Sequence, residues 1–189
     1  MCRVGLPAGQ RVFGLSDSQG SAAGLSLRQA APGDATAIAA LWTEAYVGVP
    51  GGGRDHPYGD DDVRESSRAG EVIVAERGAE LVGVVVLMGS DADLARVARD
   101  EELEVARLAV RKRTRRAGVA RRLMKRCHEQ SDRAGQATVL WTRPVQRAAQ
   151  RLYESLGYER RPGRDFGDDF SACLVYRRAL APGAAKVRR

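Results

Sequence analysis

An apolar run near the middle of the chain, Leu81–Met88 (LVGVVVLM), sets the first limit on the fold. It has the length of a buried strand and is far shorter than the roughly 20 residues that span a bilayer. A second β-rich run, EVIVAER, precedes it, and the two are joined at Arg77-Gly78-Ala79. Two such runs around a short glycine-containing turn predict a β-hairpin, and no membrane partner is expected.

Strands and helices alternate on both sides of this hairpin. Leu25–Gln29 alternates apolar and polar residues, which indicates a half-buried strand. Asp34 is the expected N-cap of the helix that follows, and Asp60–Asp62 is expected to open a second helix after a Gly- and Pro-rich loop, Val47–Tyr58. The remaining predicted elements are a helix from Val119 to Gly135, a strand at Thr138–Thr142, a helix at Arg147–Leu156 ended by Gly157, and strands at Tyr158–Arg160 and Phe170–Tyr176. This order predicts a mixed α/β sheet.

The segment Leu103–Val110 (LEVARLAV) is predicted to be a strand with one irregularity. Leu103 and Val105 share one face, but the next residue in that alternation is Arg107, and the apolar pattern resumes at Leu108. One extra residue in the strand restores the pattern, so we expect a β-bulge near Ala106–Arg107.

The positive charge of the chain is concentrated in one segment. The net charge is +7, and residues 111–126 carry nine Lys or Arg and no acid, so the rest of the chain is slightly acidic. A protein that binds nucleic acid usually spreads its cations over a face and interleaves aromatic residues. The sequence therefore favours a compact anion as the partner, and no nucleic acid.

The cysteines and the chain ends give weaker indications. Cys2, Cys127 and Cys173 are odd in number and lack metal-ligand spacing, which is typical of reduced thiols in a cytoplasmic protein with no metal site. No apolar signal-peptide region follows the N-terminus. Composition predicts a disordered extension at 1–24, one folded domain at 25–180 and a flexible tail at 181–189.

A glycine-containing loop between a predicted strand and a predicted helix is typical of anion binding. Arg115–Ala120 (RRAGVA) resembles the Q/R-x-x-G-x-G/A signature of the GNAT superfamily of acetyl-CoA-dependent N-acetyltransferases. Ala149 and Leu152–Tyr158 (LYESLGY) resemble a second block of that family, and LRQAAPGDATAIAAL resembles its first strand and helix. The likeness covers about Leu25–Leu180.

The resemblance implies a fold and a cosubstrate. The fold is a mixed, mostly antiparallel α/β sheet of about seven strands, flanked by helices, in which the fourth and fifth strands splay apart. The cosubstrate is acetyl-CoA. The residues that the resemblance assigns to its binding are Leu108, Ala109 and Val110 at the thioester, Arg115, Arg116, Ala117, Gly118, Val119 and Ala120 at the pyrophosphate, and Gln146 and Ala149 near the pantetheine arm. Gln146 stands where the family commonly has Asn. Arg111, Lys112, Arg113 and Arg116 are candidate partners of the phosphates, although for any single one of them a solvated surface cation is the preferred interpretation.

Two residues are predicted to be catalytic. Tyr153 matches the usual general acid of the family, and a phenol with a pKa near 10 is protonated at neutral pH. Its alternative is a tyrosine that only packs in the core. Glu104 is a candidate general base or water-positioning residue, with a solvent-facing strand residue as the alternative.

The resemblance implies an N-acetyltransferase that acts on a primary amine in a ternary complex with acetyl-CoA. The alternative is a CoA-binding regulatory module with the same fold and little activity. The expected partners are acetyl-CoA and an amine-bearing small molecule or peptide. The sequence does not select the amine, because one fold serves many substrates, and it leaves a homodimer open.

Overall fold

The computed structural model of the chain describes residues 24–49, 55–168 and 171–180. The predicted extension, apart from Gly24, and the predicted tail lie outside the described residues. The strands are β1 (Leu25–Gln29), β2 (Gly70–Arg77), β3 (Glu80–Gly89), β4 (Glu102–Val110), β5 (Ala137–Thr142), β6 (Glu159–Arg160) and β7 (Leu174–Arg178). The helices are α1 (Ala35–Tyr46), α2 (Asp60–Ala69), α3 (Val119–Ala134) and α4 (Arg147–Glu154), with short 3-10 turns at Pro32–Asp34, Lys112–Thr114 and Pro162–Arg164.

The described strands form one seven-stranded sheet in the order β1-β2-β3-β4-β5-β7-β6. Neighbouring strands are antiparallel except for β4 and β5, which are parallel. The predicted mixed α/β sheet and the predicted β2–β3 hairpin are therefore confirmed.

Apolar clusters cover both faces of the sheet. α1 and α2 contribute Ile38, Trp42 and Val63 to the cluster on one face. α3 and α4 contribute residues such as Leu123 and Tyr153 to the cluster on the other face. The β3 strand is buried along almost its whole length, because it lies in the interior of the sheet between these two layers.

The expected bulge in β4 is confirmed. Val84 pairs with Ala109 and Val86 pairs with Ala106, so β4 has one residue more than β3 over the same stretch. Arg107, inside that stretch, has φ +52°, in the left-handed region that non-glycine residues rarely adopt. Parallel pairing with β5 covers only residues 102–104 of β4, and beyond them the two strands diverge.

Three predicted local features differ from the structure. The Asp34 carboxylate accepts hydrogen bonds from the Ala31 amide (2.7 Å) and the Arg28 side chain (2.6 Å), so it closes the 3-10 turn before α1 and does not cap α1 itself. α4 ends at Glu154, because Gly157 adopts φ +83° and the Tyr158 amide closes back on the Tyr153 carbonyl. The last strand begins at Leu174 and not at residue 170, which lies outside the described residues.

A buried histidine makes stability depend on pH. The Nε2 atom of His128 lies 3.1 Å from the Tyr158 hydroxyl, and burial, together with the nearby Arg178 charge, lowers the pKa of His128 to about 4. An unfolded histidine titrates near 6.5, so between these values the unfolded chain binds the proton and the folded chain does not. The free energy of unfolding therefore falls as the pH is lowered through this range.

We predict that His128 lowers the free energy of unfolding by about 1 kcal/mol between pH 7 and pH 5, and that His128→Asn removes this fall. The measurement is urea unfolding of the wild type and the variant at both pH values. His56→Asn is the matched control, because His56 is exposed and is the other histidine of the sequence. An equal loss of stability in the wild type and in His128→Asn would contradict the prediction.

Candidate functional site

The basic loop after β4 is tied to the domain by ion pairs. Arg111 lies 3.3 Å from Glu44 in α1 and 3.1 Å from Glu80 in β3, and Arg113 also pairs with Glu80. Arg111 and Arg113, two of the candidate phosphate partners, therefore have guanidinium groups that are already paired with carboxylates. These contacts fix the loop between β4 and α3.

The end of this loop presents unused backbone amides. Arg116 (φ +65°) and Gly118 (φ +78°) both adopt left-handed backbone angles, and α3 begins directly after Gly118. Within the described residues, no hydrogen bond is donated by the amides of residues 116–121. A Cβ atom added to Gly118 would meet no atom within 4 Å, so the turn is open to solvent. Free amides at the positive end of a 16-residue helix form a site suited to a phosphate.

The predicted residues around this turn lie together. Arg115 and Arg116 are exposed beside it, Ala117 and Gly118 form it, and Val119 and Ala120 start α3, with Val119 buried in the core. Arg115 remains close to the strand end, because its Nε donates to the Val110 carbonyl at 3.4 Å.

Gln146 shapes the start of α4. Its side-chain oxygen accepts hydrogen bonds from the Thr142 hydroxyl (2.9 Å) and the Arg143 amide (3.0 Å). The longer side chain thus folds back onto the end of β5, which leaves its amide nitrogen as the group that can reach a ligand. Ala149 packs one turn later against the main core cluster.

Two aromatic side chains of α1 hold the bulge of β4. The Trp42 Nε1 donates to the Arg107 carbonyl at 3.2 Å, and the Tyr46 hydroxyl donates to the Leu108 carbonyl at 2.6 Å. A trans peptide directs its C=O and N–H groups to opposite sides. The Leu108 amide therefore points away from Trp42, and the two hydrogen bonds fix the orientation of the strand end at Leu108, Ala109 and Val110.

Tyr153 is a buried phenol with its proton held firmly. It is 8% exposed, and its ring lies 5.9 Å from that of Tyr158 and 6.2 Å from that of Tyr176. Burial raises the pKa of Tyr153 well above its ordinary value of 10. Burial also raises the pKa of Tyr46, with smaller contributions from the neighbouring phenols of Tyr153 and Tyr58.

Glu104 is fully enclosed. It is 1% exposed, so it is not the solvent-facing residue that one interpretation of the sequence expected. Its Oε2 atom accepts three backbone hydrogen bonds, from Arg96 (2.8 Å), Val97 (2.8 Å) and Ala98 (3.1 Å). The carboxylate therefore holds the loop before β4 against the sheet, next to the point where β4 and β5 diverge.

Sequence reasoning missed the parts that Trp42, Tyr46 and Arg107 play at the bulge. In the sequence, Trp42 and Tyr46 only repeat at helical spacing, and Arg107 only breaks the alternation of its strand. Two aromatic residues four positions apart that both carry a hydrogen-bond donor were the available signal. No group of metal-ligating side chains occurs in the described segments, and none of their helices is long and apolar enough to cross a membrane.

Comparison with known proteins gives one family-model match and several solved structures with the same fold. A family model described as an acetyltransferase (GNAT) domain matches residues 68–160, which include β4, the amide-bearing turn and α4. At the level of sequence, no curated protein matches the chain.

Several solved structures share the fold. A putative acetyltransferase, yncA, from Salmonella typhimurium, solved with its cofactor acetyl-CoA, aligns with a TM-score of 0.67 at 19% identity, over 86% of this chain and 98% of that one. The ribosomal-protein-S18-alanine N-acetyltransferase from Escherichia coli aligns with a TM-score of 0.62 at 16% identity, over 84% and 97%. A GNAT superfamily phosphinothricin acetyltransferase from Sinorhizobium meliloti, in complex with AcCoA, aligns with a TM-score of 0.67 at 13% identity, over 85% and 90%. At these identities the likeness establishes the fold.

Proposed function

We propose that this chain is an acetyltransferase of the GNAT superfamily, whose domain model matches residues 68–160, and that it transfers an acetyl group from acetyl-CoA to a primary amine, by direct attack in a ternary complex. We take residues 25–180 as the catalytic domain. The observation that carries the proposal is the run of unused amides at residues 116–121, placed at the start of α3 beside two diverging strands.

The residues around this turn suit the phosphates and the pantetheine arm of acetyl-CoA. The free amides of residues 116–121 would bind the pyrophosphate, with Arg115 and Arg116 as nearby cations. The gap that opens between β4 and β5 beyond residue 104 suits an extended chain such as pantetheine, with Ala149 and the Gln146 amide nitrogen beside it. Acetyl-CoA, when bound, supplies an activated acetyl group as a thioester.

The β4 strand end stabilises the charge that develops on the carbonyl oxygen during transfer. Trp42 and Tyr46 fix the bulge through its carbonyl groups, so the backbone amides from Leu108 to Val110 are held in place before the substrate arrives. Donors that need no reorganisation during the reaction are often the largest electrostatic contribution to acyl transfer.

Tyr153 serves as the general acid. The amine nitrogen forms a bond to the acetyl carbon, the carbon–sulfur bond breaks, and its electron pair stays on sulfur. The Tyr153 hydroxyl gives its proton to that sulfur. It is protonated again by the proton that the amine nitrogen loses. Because burial raises the pKa of Tyr153, the hydroxyl carries its proton throughout the neutral range.

We assign Glu104 a positioning role in the same site. Three amides already donate to its Oε2, so proton abstraction would have to use Oε1. Holding residues 96–98 against the sheet keeps this side of the cleft in shape for the acceptor. The contacts support this role more strongly than that of the general base that the sequence suggested.

The first prediction from this mechanism concerns Tyr153. The wild type should release thiol from acetyl-CoA in the presence of a suitable primary amine, and Tyr153→Phe should lower kcat by about 100-fold with little change in acetyl-CoA affinity. Tyr176→Phe is the control, since it removes a neighbouring hydroxyl, 3.3 Å from Glu154, that has no role in the reaction. The measurement is thiol release across a broad panel of amines. An equal kcat in Tyr153→Phe and wild type would remove Tyr153 from the mechanism, and failure to bind acetyl-CoA would refute the function.

The second prediction separates the two roles of Glu104. Glu104→Gln retains an oxygen that accepts from the loop amides but removes the basic group. We expect the free energy of unfolding to fall by about 1–3 kcal/mol and the acidic limb of the kcat/KM–pH profile to stay where it is. Glu102→Gln, which changes a buried carboxylate on the same strand that pairs with Arg164 and Arg177, is the matched control for stability. Loss of the acidic limb in Glu104→Gln alone would establish Glu104 as the base.

A further inference from the structure

Arg107, the residue inside the bulge of β4, has a guanidinium group with no anionic partner among the residues that the structure describes. Its Cζ lies 4.8 Å from the centre of the Trp42 ring and 5.4 Å from that of Tyr58. No carboxylate in the part of the chain that the structure describes lies within ion-pair distance of it. Its Nη1 atom is buried and has no hydrogen-bond partner.

Three other partly buried arginines among the described residues behave differently. Arg160 pairs with Asp165, Arg164 with Glu102 and Arg178 with Asp132, all at 3.0 Å or less. Removing a guanidinium from water costs free energy unless a counter-ion or hydrogen-bond acceptors replace the lost hydration. The fold meets this requirement at those positions and leaves it unmet at Arg107.

The aromatic neighbours do not supply what is missing. A ring face attracts the cation but accepts no good hydrogen bond from the edge of the guanidinium, where the N–H groups lie. Tyr46, the third aromatic residue at this place, stays neutral because burial raises its pKa, and its hydroxyl already donates to the Leu108 carbonyl. Among the described residues, the side chains that pack against the Arg107 guanidinium are thus aromatic and carry no negative charge.

The backbone of Arg107 is also strained in the conformation that places its side chain here. Arg107 has φ +52°, and a non-glycine residue in the left-handed region is strained by about 1 kcal/mol or more. The hydrogen bond from Trp42 to the Arg107 carbonyl holds that conformation. Strain of this kind persists where the surrounding structure enforces it, most often at sites of function.

The location links the cation to the reaction. Arg107 directly precedes Leu108–Val110, the strand end assigned to the acetyl thioester, and it lies on the face of the sheet covered by α1. An anion bound there would be a neighbour of the reacting carbonyl. The pyrophosphate site, in contrast, lies beyond the end of the strand at residues 116–121.

We propose that Arg107 binds a carboxylate of the acetyl acceptor, so that the substrate is a small amine that also carries a carboxylate, as an amino acid does. The guanidinium edge offers two parallel N–H groups that match a carboxylate, and the rings of Trp42 and Tyr58 hold its plane and exclude water. This inference rests on the proposed acetyl transfer and specifies its substrate class.

The test uses matched sets of acceptors with acetyl-CoA: the common amino acids, their carboxamides, and the amines formed by removing the carboxyl group. The wild type should show kcat/KM values about 100-fold higher for its preferred acid than for the matching amide and amine, because a buried ionic contact is lost in the latter. Arg107→Gln should abolish this preference by lowering only the value for the acid. Arg107→Lys keeps the charge without the planar edge, so its preference for the acid should lie between those of the wild type and Arg107→Gln.

A second arm measures binding without turnover. N-acetyl amino acids, the products, should bind the CoA-loaded wild type about 100-fold more tightly than their N-acetyl amides do. The two series should bind the CoA-loaded Arg107→Gln variant equally weakly. Arg133→Gln, at an exposed arginine near the end of α3, is the control for removal of one positive charge. Thermal unfolding of each variant verifies that it is folded. If Arg107→Gln does not fold, Arg107→Lys takes its place in both comparisons.

Equal use of acids, amides and decarboxylated amines, or equal binding of the two product series to the wild type, would overturn the inference and leave acetyl transfer intact. A uniform loss of activity in Arg107→Gln across all acceptors would also overturn it, since that pattern indicates a purely structural residue. Preference for a phosphate- or sulfonate-bearing amine over the carboxylate would do the same. Failure of the function itself has a different signature, because the wild type would then neither bind acetyl-CoA nor release thiol with any amine.

Discussion

The single extra residue in β4 determines the geometry of the rest of the site. Because Arg107 adds one residue against β3, the strand bends and its last residues leave the pairing with β5, which covers only residues 102–104. Trp42 and Tyr46 hold the bent peptides through their carbonyl groups. One irregularity thus opens the sheet, orients the amides of the strand end and places a cation beside them.

The turn around Gly118 depends on the same strand. Arg111 follows β4 directly, and its ion pairs with Glu44 and Glu80 fix the path from the strand to α3. The basic run that marks this segment in the sequence is therefore divided in function. Part of it holds the loop in place, and we assign the binding of the anion to the backbone amides around Gly118, for which the positive end of α3 supplies the favourable field.

The sequence predicts the features that depend on local pattern. The hairpin, the strand and helix order and the bulge at Arg107 follow from periodicity, and the turn at Gly118 follows from a motif. Contacts between residues far apart in the chain could not be predicted from local pattern. Nothing local indicates that Glu104 binds the amides of residues 96–98, or that α1 supplies both one ring beside Arg107 and the donors that hold the bulge. The same limit applies to Asp34, whose expected role as a cap was replaced by its ion pair with Arg28.

We propose that backbone amides at Gly118, and not the surrounding cations, bind acetyl-CoA. The most direct measurement is calorimetric titration of acetyl-CoA into Gly118→Asp and Gly78→Asp. Both glycines have left-handed backbone angles, φ +78° and +61°, and both have open space where a Cβ would lie, so the two variants share strain and added charge. We predict that Gly118→Asp weakens binding by at least about 100-fold and that Gly78→Asp, in the β2–β3 turn, leaves it unchanged. Equal affinity in the two variants would contradict it.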